Sequence, residues 1–240
     1  MAKEKSAIER FAESKFMRKL QEGSQKLASN EIFSTISGGM GATMGLIMVG
    51  AVIQIVCAVG AMFGWDTSSA SYQAFYMPYK LTMGLMGFFM CFSMAYNYAK
   101  RKKMNQMQSV VTALVCYILV VSPPVSASVV AADGTIGRAF DALNLSSLGT
   151  GGMFVAIIVG LCSVAISKFV IDHNWTIKLP DVVPEGIAHS FNAIIPMSVN
   201  IIVWYGISLI ISAVSGGALT LSSLITLILS VPVNFLTSTP

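Results

Sequence analysis

The chain has 240 residues, of which 55% are apolar and 11% are charged, and its mean hydropathy is +0.72. Soluble domains carry about 25% charged residues, so this composition argues against a water-soluble globule, a disordered tail, a collagen and a disulfide-rich secreted module. The net charge of +4 comes from Lys and Arg at the ends of apolar stretches, so no nucleic-acid partner is expected. The sequence predicts an all-α, polytopic transmembrane helical bundle of about five spans, with an N-terminal amphipathic helix and a C-terminal short helix.

Residues 1–31 form a polar head with seven Lys or Arg and five Glu side chains. Apolar side chains recur in it every four residues, at Ile8, Ala12, Phe16 and Leu20, while Lys and Glu occupy the other face. This spacing predicts a helix that lies in the cytoplasmic interface with its apolar side on the membrane. The alternative is a solvated coil that leads into the first span.

Five apolar stretches come near the roughly 20 residues that a membrane-spanning helix needs, and only the fourth contains a charged residue, Lys168 near its end. In chain order the predicted spans are residues 41–63, 81–99, 107–128, 151–171 and 192–214. The last apolar stretch, residues 218–231, is too short to span and is predicted to be an interfacial or re-entrant helix. The predicted division is therefore a cytoplasmic head (1–31), a five-span membrane domain (32–214) and a terminal segment (215–240).

The distribution of Lys and Arg predicts the orientation. With the N-terminus in the cytoplasm, 13 of the 15 Lys and Arg residues fall in cytoplasmic segments, and only Lys80 and Arg138 lie outside. Cytoplasmic loops carry such an excess, so we expect a cytoplasmic N-terminus. Residues 129–150 then form the longest outside loop.

Few side chains are suited to chemistry. The only histidines are His173 and His189, and no Asp or Glu lies within a predicted span. A carboxylate in the membrane would indicate a proton or ion relay, so its absence argues against a cation-coupled carrier. No P-loop, HExxH or GxSxG motif is present, and no catalytic residue, metal or cofactor is predicted.

The four cysteines, Cys57, Cys91, Cys116 and Cys162, lie in separate apolar stretches without CxxC spacing. Free cysteines in such surroundings behave as small hydrophobes. We therefore interpret them as buried packing residues rather than as metal ligands or disulfides.

Two pairs of glycines lie four residues apart in the first span, Gly41 with Gly45 and Gly60 with Gly64. This spacing lets two helices approach closely. Packing within the bundle is the preferred interpretation, and pairing of subunits is the alternative.

Gln54, Asn97 and Asn200 are polar residues inside predicted spans. Each is expected to form a hydrogen bond between helices. Asn200 is of most interest because it follows the unusual proline-rich stretch of residues 177–196.

The prolines of that stretch predict an irregular entry into the fifth span. Pro180 and Pro184 stiffen a cytoplasmic loop, and Pro196 cannot donate a hydrogen bond to the carbonyl of Asn192. A freed carbonyl near the membrane surface is typical of transporter helices that line a cavity. The alternative is a plain kink.

The segments Lys178-Leu-Pro-Asp-Val-Val-Pro184, His189-Ser-Phe191 and Ile195-Pro196 resemble a known signature. It is the Pro-Val-Pro, Ser-Phe and Ile-Pro signature of phosphotransferase-system sugar permeases, the membrane IIC components of the lactose/cellobiose/chitobiose type. Pro180, Pro184, Ser190 and Phe191 carry the match. The polar head also looks like the family's lead-in to its first span, and residues 231–240 resemble the stretch before its second half.

The resemblance implies a bacterial plasma-membrane permease that moves a β-linked disaccharide inward for phosphorylation by the soluble IIB protein. It also implies that this half forms the scaffold and interface of a homodimer. The candidates for substrate binding or gating are His189, Asn192, Pro196 and Asn200, with capping of the fifth span as the alternative role of His189.

The sequence departs from the family pattern at its end. It stops at Pro240, where the second, sugar-handling half should begin, so we expect a truncated gene or a fragment. Glu185 and His189 also stand where a proline and a basic residue are expected. The alternative functions are a non-transporting receptor or assembly subunit and, less in keeping with the sequence, a small cation-coupled carrier.

Overall fold

The structure is a computed structural model that describes residues 25, 29–130, 136–175, 177, 184, 190–217 and 219–228. Almost all of the predicted amphipathic head lies outside these residues. Two residues singled out by the sequence, Pro180 and His189, also lie outside them.

The described chain is a helical bundle with one β-hairpin, so the predicted all-α class is confirmed with a small addition. The elements are α1 (Glu31–Met62), α2 (Ala70–Thr82), α3 (Met86–Arg101), α4 (Gln106–Val121), β1 (Val125–Val130), β2 (Ile136–Ala142), α5 (Leu145–Leu148), α6 (Met153–Asp172) and α7 (Ile194–Val214). Short 3₁₀ turns, Met83–Leu85 and Thr150–Gly152, precede α3 and α6. Residues 221–228 are helical and lie within the short C-terminal helix predicted for residues 218–231.

Three helical segments are long and apolar enough to cross a membrane: Glu31–Met62, Thr150–Asp172 and Ser190–Val214. They correspond to the first, fourth and fifth predicted spans. The second and third predicted spans contain α3 and α4, which have 16 residues each. Each of these two helices is shorter than the roughly 20 residues that a straight crossing needs.

The third predicted span was too long at its far end. Helix α4 ends at Val121, and β1 begins at Val125 and pairs antiparallel with β2, with Val125 opposite Ala142. Pro123 and Pro124 cannot donate the backbone hydrogen bonds that would continue the helix. The outside loop predicted for residues 129–150 is therefore partly a hairpin.

Helix α3 lies at the centre of the bundle and packs against α1, α4 and α6. Among the described residues the largest fully buried side chain is that of Tyr117 on α4. Its hydroxyl donates to the carbonyl of Leu148 at 3.4 Å. A side chain at Gly87 would lie 2.7 Å from that carbonyl oxygen. The buried centre of this packed core consists of Met86, Met90, Cys91, Met94, Ala95, Ala113, Cys116, Tyr117, Val155, Ala156 and Val159.

Helix α1 buries only small side chains completely, while Ile36, Leu46 and Ile47 pack against the core partly buried. Its buried residues are Thr35, Gly39, Thr43, Gly50 and Cys57. A side chain at Gly39 would lie 2.8 Å from the sulfur of Met94, so the glycine permits this contact. Most of the other large apolar side chains of α1, such as Met44, Met48 and Ile55, are exposed, as expected of a helix that faces lipid.

The bundle-packing interpretation of the glycine pairs was right for Gly60 and wrong for the other three glycines, of which Gly64 also has no atom of a described residue within 4 Å of an added side chain. The ring of Trp65 packs against Gly60, where a side chain would clash with it. No atom of the described chain lies within 4 Å of the position that a side chain would take at Gly41 or Gly45. These two glycines therefore face the outside of the bundle.

All four cysteines are free. Cys57, Cys91 and Cys116 are buried as predicted, whereas Cys162 is exposed on the surface of α6. Burial of three thiols among apolar side chains fits a packing role.

Helices α3 and α4 are joined by a tight turn over residues 102–105. Lys103 has a left-handed backbone, with φ of 54°, and Asn105 caps α4 by accepting from the N–H of Gln108 at 3.2 Å. The turn is tied to α1, because Lys102 binds Glu31 and Arg101 donates to Ser34 at 2.7 Å.

Candidate functional site

A polar cavity of about 360 Å³ lies where the α3–α4 turn meets the last turns of α6 and the beginning of α7. We call it the basic cavity, because three lysines and no Asp or Glu of the described residues line it. Ten of its fourteen lining residues are polar. The lining residues are Lys102, Lys103, Met104, Asn105, Gln108, Ser109, Thr112, Ser167, Lys168, Ile171, Asn174, Asn192, Ala193 and Pro196.

Several of the residues singled out by sequence meet at this cavity. Asn192 and Pro196 line it, and Asn200 lies one turn further along α7. Pro184, Ser190 and Phe191 are exposed on the way into α7.

Pro196 lies in the first turn of α7 rather than in its middle. Residues 190–192 form a first helical turn, and Ala193, whose backbone is still helical with φ of −79° and ψ of −17°, joins this turn to α7. The N–H of Met197 bonds to the carbonyl of Ala193 at 3.0 Å. A proline is well tolerated in a first turn, where its missing N–H would have no helical partner. The irregularity is thus limited to a turn at Ala193, and Asn192 just before it lies at the cavity wall.

Asn200 joins α7 to α6 beneath the basic cavity. Its Nδ2 donates to Ser167 Oγ and to the Pro196 carbonyl, both at 2.9 Å, so the predicted bond between helices is confirmed. The side chain is fully buried, and its Oδ1 has no hydrogen-bond partner among the described residues. A buried acceptor left without a donor costs about 1–3 kcal/mol. Asn200 is therefore poised to accept a hydrogen bond from another group.

A second polar contact lies one turn further along the same helices. Trp204 Nε1 donates to Ser163 Oγ at 2.9 Å, and both side chains are buried. We call Ser163, Ser167, Asn200 and Trp204 the polar seam. Sequence reasoning identified only Asn200 of these four. The available signal was spacing, since two serines and an Asn/Trp pair each lie four residues apart and so share a helix face.

Gln54 and Asn97, which were also expected to form hydrogen bonds between helices, do not do so in the described structure. Asn97 donates to the carbonyl of Ser93 in its own helix at 2.8 Å, and it is Ser93 Oγ that reaches across to the carbonyl of Gly39 at 3.0 Å. Gln54 is exposed on α1. Only Asn200 therefore carries the predicted role.

The lysines of the basic cavity differ in their partners. Lys102 binds Glu31 at 2.7 Å, and this hydrogen bond raises the pKa of Lys102 above its usual value. Lys168 pairs with Asp172 one turn along α6. Lys103 has no hydrogen-bond or ion-pair partner within the described part of the chain. The positive charge of Lys103 is therefore compensated neither by Glu31 nor by Asp172.

The described residues bring no three His, Cys, Asp or Glu side chains together, so their donor sets suggest no metal centre. The site offers amide, hydroxyl and ammonium groups instead. Such groups bind polar or anionic ligands through hydrogen bonds rather than through metal coordination.

Membrane-length helices around a polar cavity at one end of the bundle define a polytopic helical membrane protein. The profile of the family described as "Phosphotransferase system, EIIC" matches residues 30–237, and the chain belongs to this family. The match confirms the resemblance seen in the proline-rich signature.

Relatives at about a quarter sequence identity are lactose-specific EIICB components of phosphotransferase systems. The protein from Streptococcus mutans is 26% identical over 200 residues, which are 80% of this chain and 33% of that protein. The protein from Staphylococcus epidermidis is 28% identical over 199 residues, which are 79% of this chain and 32% of that protein. The chain therefore spans about a third of the length of these relatives.

A solved structure shows the same fold. It is the transporter ChbC, the IIC component of the N,N'-diacetylchitobiose-specific phosphotransferase system. The TM-score is 0.74 at 22% sequence identity, and the match covers 92% of this chain and 52% of that chain.

Proposed function

We propose that the chain is the scaffold part of a phosphotransferase-system sugar permease, in which it takes part in moving a β-linked disaccharide across a bacterial membrane. Its membership of the EIIC family and its fold support this role. The related proteins are named for lactose and for N,N'-diacetylchitobiose, and both sugars are β-linked disaccharides. The EIICB composition of the relatives supports a IIB protein as the partner that phosphorylates the sugar.

The observation that carries this proposal is the basic cavity, with Asn192 and Pro196 at its α7 wall and the buried Asn200 beneath it, bonded to the Pro196 carbonyl. Sugar hydroxyls donate and accept hydrogen bonds, and the free Oδ1 of Asn200 accepts one. In this proposal Asn200 and Pro196 act as a gating pair, because Asn200 donates both to the Pro196 carbonyl in its own helix and to Ser167 of α6 and so ties the first turn of α7 to α6. His189, outside the described residues, lies three positions before Asn192 and is proposed to act with it.

The proposed orientation places the basic cavity in the cytoplasm, together with the N-terminus and the proline-rich signature of Pro180, Pro184, Ser190 and Phe191. Its support is the excess of Lys and Arg in the segments on that side. If the orientation is correct, a membrane-impermeant amine reagent added to intact cells leaves Lys100 unlabelled. Labelling of Lys100 from outside would contradict it.

The proposed homodimer interface is the outer face of α1. Gly41 and Gly45 are open there, which favours the subunit-pairing alternative over packing within the bundle. Replacing Gly45 with leucine is expected to weaken the dimer in detergent, as measured by cross-linking and mass photometry. Gly206→Leu is the matched control, since that glycine is equally open but lies on α7. Equal dimer contents in both variants would contradict the interface.

The transport proposal is tested by deleting the gene and restoring it. Cells without it are expected to lose phosphoenolpyruvate-dependent uptake of a radiolabelled β-disaccharide, and the intact gene should restore it. Asn200→Ala should lower this uptake by about tenfold, in line with the cost of a buried hydrogen-bonded group. Asn97→Ala removes an amide bonded only within its own helix and should leave uptake near the wild-type level.

Pro196→Ala separates gating from folding. We expect a greater loss of uptake than of folded protein, measured by membrane abundance and by the detergent melting profile. Equal losses would assign Pro196 a structural role alone. Uptake that persists without any IIB protein would overturn the permease assignment, and saturable sugar binding with no dependence on phosphorylation would indicate a receptor.

A further inference from the structure

The basic cavity carries a charge that the transport proposal does not use. Lys102 and Lys103 enter it from the α3–α4 turn and Lys168 from α6. Among the described residues, Glu31 binds Lys102 and Asp172 binds Lys168, and neither carboxylate lines the cavity. Lys103 therefore gives the cavity a net positive charge within the described structure.

Neutral donors surround this charge. Asn105, Asn174 and Asn192 line the cavity, and each carries an amide NH₂ group with two donors. The Oδ1 atom of Asn105 already accepts from the α4 backbone, so its NH₂ group is the part left for a ligand. The first turn of α4 adds backbone N–H groups with a partial positive charge. The C-terminal ends of α3 and α6 act in the opposite sense, and the lysines at those ends offset them.

The backbone is also unusual here. Only two non-glycine residues of the described chain have a positive φ, Lys103 at 54° and Asn174 at 57°, and both line the basic cavity. Left-handed backbone is unfavourable for a lysine, which has no short polar side chain to stabilise it. Each of these two residues closes a C-terminal helix cap, because the N–H of Met104 bonds to the carbonyl of Ala99 at 2.9 Å and the N–H of Trp175 bonds to the carbonyl of Val170 at 3.1 Å. Two helix ends are thus bent to bring an ammonium and an amide to one cavity.

We propose that the basic cavity binds a phosphate group. A phosphate has several acceptor oxygens and a negative charge, which match a converging set of ammonium and amide donors. Two sources share this chemistry: a soluble phosphate ester such as a phosphorylated sugar, and the headgroup of an anionic lipid, which basic pockets between transmembrane helices also bind. The volume of about 360 Å³ admits the group together with part of the molecule attached to it.

The proposal concerns binding at the same cavity and does not rest on transport, so it is tested on the purified full-length chain. In nanodiscs of phosphatidylcholine, inorganic phosphate and glucose 6-phosphate are titrated by calorimetry. In nanodiscs that contain phosphatidylglycerol, lipid retained after extraction is counted by native mass spectrometry. Binding in the first arm identifies a soluble source, and selective retention of phosphatidylglycerol identifies the lipid headgroup.

Lys103→Gln removes the uncompensated charge and should weaken phosphate binding by about tenfold, the scale of one lost charge-assisted hydrogen bond. Lys100→Gln removes an equally exposed lysine at the same end of α3 that does not line the cavity, and should bind as wild type. Lys103→Arg keeps the charge and should restore most of the binding. Circular dichroism establishes that each variant is folded.

Three results would overturn the proposal. One is wild-type protein that binds neither phosphate compound and retains phosphatidylglycerol no better than phosphatidylcholine. Another is an equal loss in Lys100→Gln and Lys103→Gln, which would show a diffuse charge effect. The third is binding of a purified IIB protein in the absence of any response to phosphate, which would make the cavity a protein-docking surface.

Discussion

The packed core around α3 and the polar seam between α6 and α7 hold helices together in different ways. In the core, small residues let backbones approach until a single added carbon would clash, as at Gly87 and Gly152. In the seam, contact depends on hydrogen bonds from Asn200 and Trp204 to serines. Closely packed backbones fit together in a single arrangement. The hydrogen-bonding side chains of the polar seam can instead change to other donors and acceptors without leaving an empty cavity. The difference suggests that α7 is the helix able to move while the core stays fixed.

The largest effect is expected where the core is tightest. In Gly87→Ala the added carbon would lie 2.7 and 2.8 Å from the backbone carbonyl oxygens of Leu148 and Gly149, which cannot rotate away. We expect a loss of about 3 kcal/mol in the free energy of unfolding, the upper range for overpacking. Denaturant titration in detergent measures it.

Gly41→Ala is the matched control for this substitution, because nothing lies within 4 Å of the added carbon. A glycine in a helix is less favourable than alanine by about 0.5–1 kcal/mol, so this variant should be slightly more stable. Similar unfolding free energies for the two variants would break the distinction between the core and its surface.

Asn200→Ala should have a smaller effect on stability than Gly87→Ala and a larger one on transport. It removes two hydrogen bonds but also removes the unpartnered Oδ1. Hydrogen bonds between membrane helices average about 0.6 kcal/mol, so we expect a loss near 1 kcal/mol in the same titration. A loss as great as that of Gly87→Ala would show that the seam is as rigid as the core.

The contact between Trp204 and Ser163 gives the strength of one seam bond directly. A double-mutant cycle with Trp204→Phe and Ser163→Ala should yield a coupling free energy of about 0.6 kcal/mol. The cycle is needed because Trp204→Phe also removes part of a buried ring. Independent effects of the two substitutions would contradict the bond.

The smallest expected effect is on the ion pair that ties the α3–α4 turn to α1. The hydrogen bond to Glu31 raises the pKa of Lys102, so the pair stabilises the folded state fully below the usual lysine pKa of about 10.4. This contribution, a few tenths of a kcal/mol for an exposed pair, should vanish as the pH rises through the folded pKa. Glu31→Gln should lack this loss between pH 9 and pH 12 in thermal scans, and 1 M salt should reduce it in wild type.

Sequence reasoning predicted the fold best where a single physical rule applies. Uncharged stretches of sufficient length gave the first, fourth and fifth spans, because lipid cannot solvate a charge or a bare backbone. The same rule made the predicted third span too long, because residues 122–128 are also uncharged although the helix ends at Val121. Hydropathy alone does not distinguish an apolar helix from the apolar strand that begins at Val125. Helix α2 was missed because its tyrosines, Lys80 and Pro78 weaken the apolar pattern.

The candidate site was predicted from its prolines and one asparagine. Pro196 and Asn192 line the cavity and Asn200 supports it, whereas the lysines of the α3–α4 turn were read only as orientation signals. Their role at the cavity depends on which helix ends meet in space. Ser163 and Ser167 were not predicted, because isolated serines are common in apolar helices. Their role becomes visible only when the structure places Asn200 and Trp204 within hydrogen-bond distance of them.

The tight turn between α3 and α4 has a consequence for how the protein enters the bilayer. At 16 residues each, these helices are about 24 Å long, less than the roughly 30 Å hydrocarbon thickness. Each also carries hydroxyl groups that are covered only by neighbouring helices, Ser93 on one and Ser109 and Thr112 on the other. Because residues 102–105 hold the two together, they are best released from the translocon as one helical hairpin, with the cluster of basic residues at its tip remaining in water.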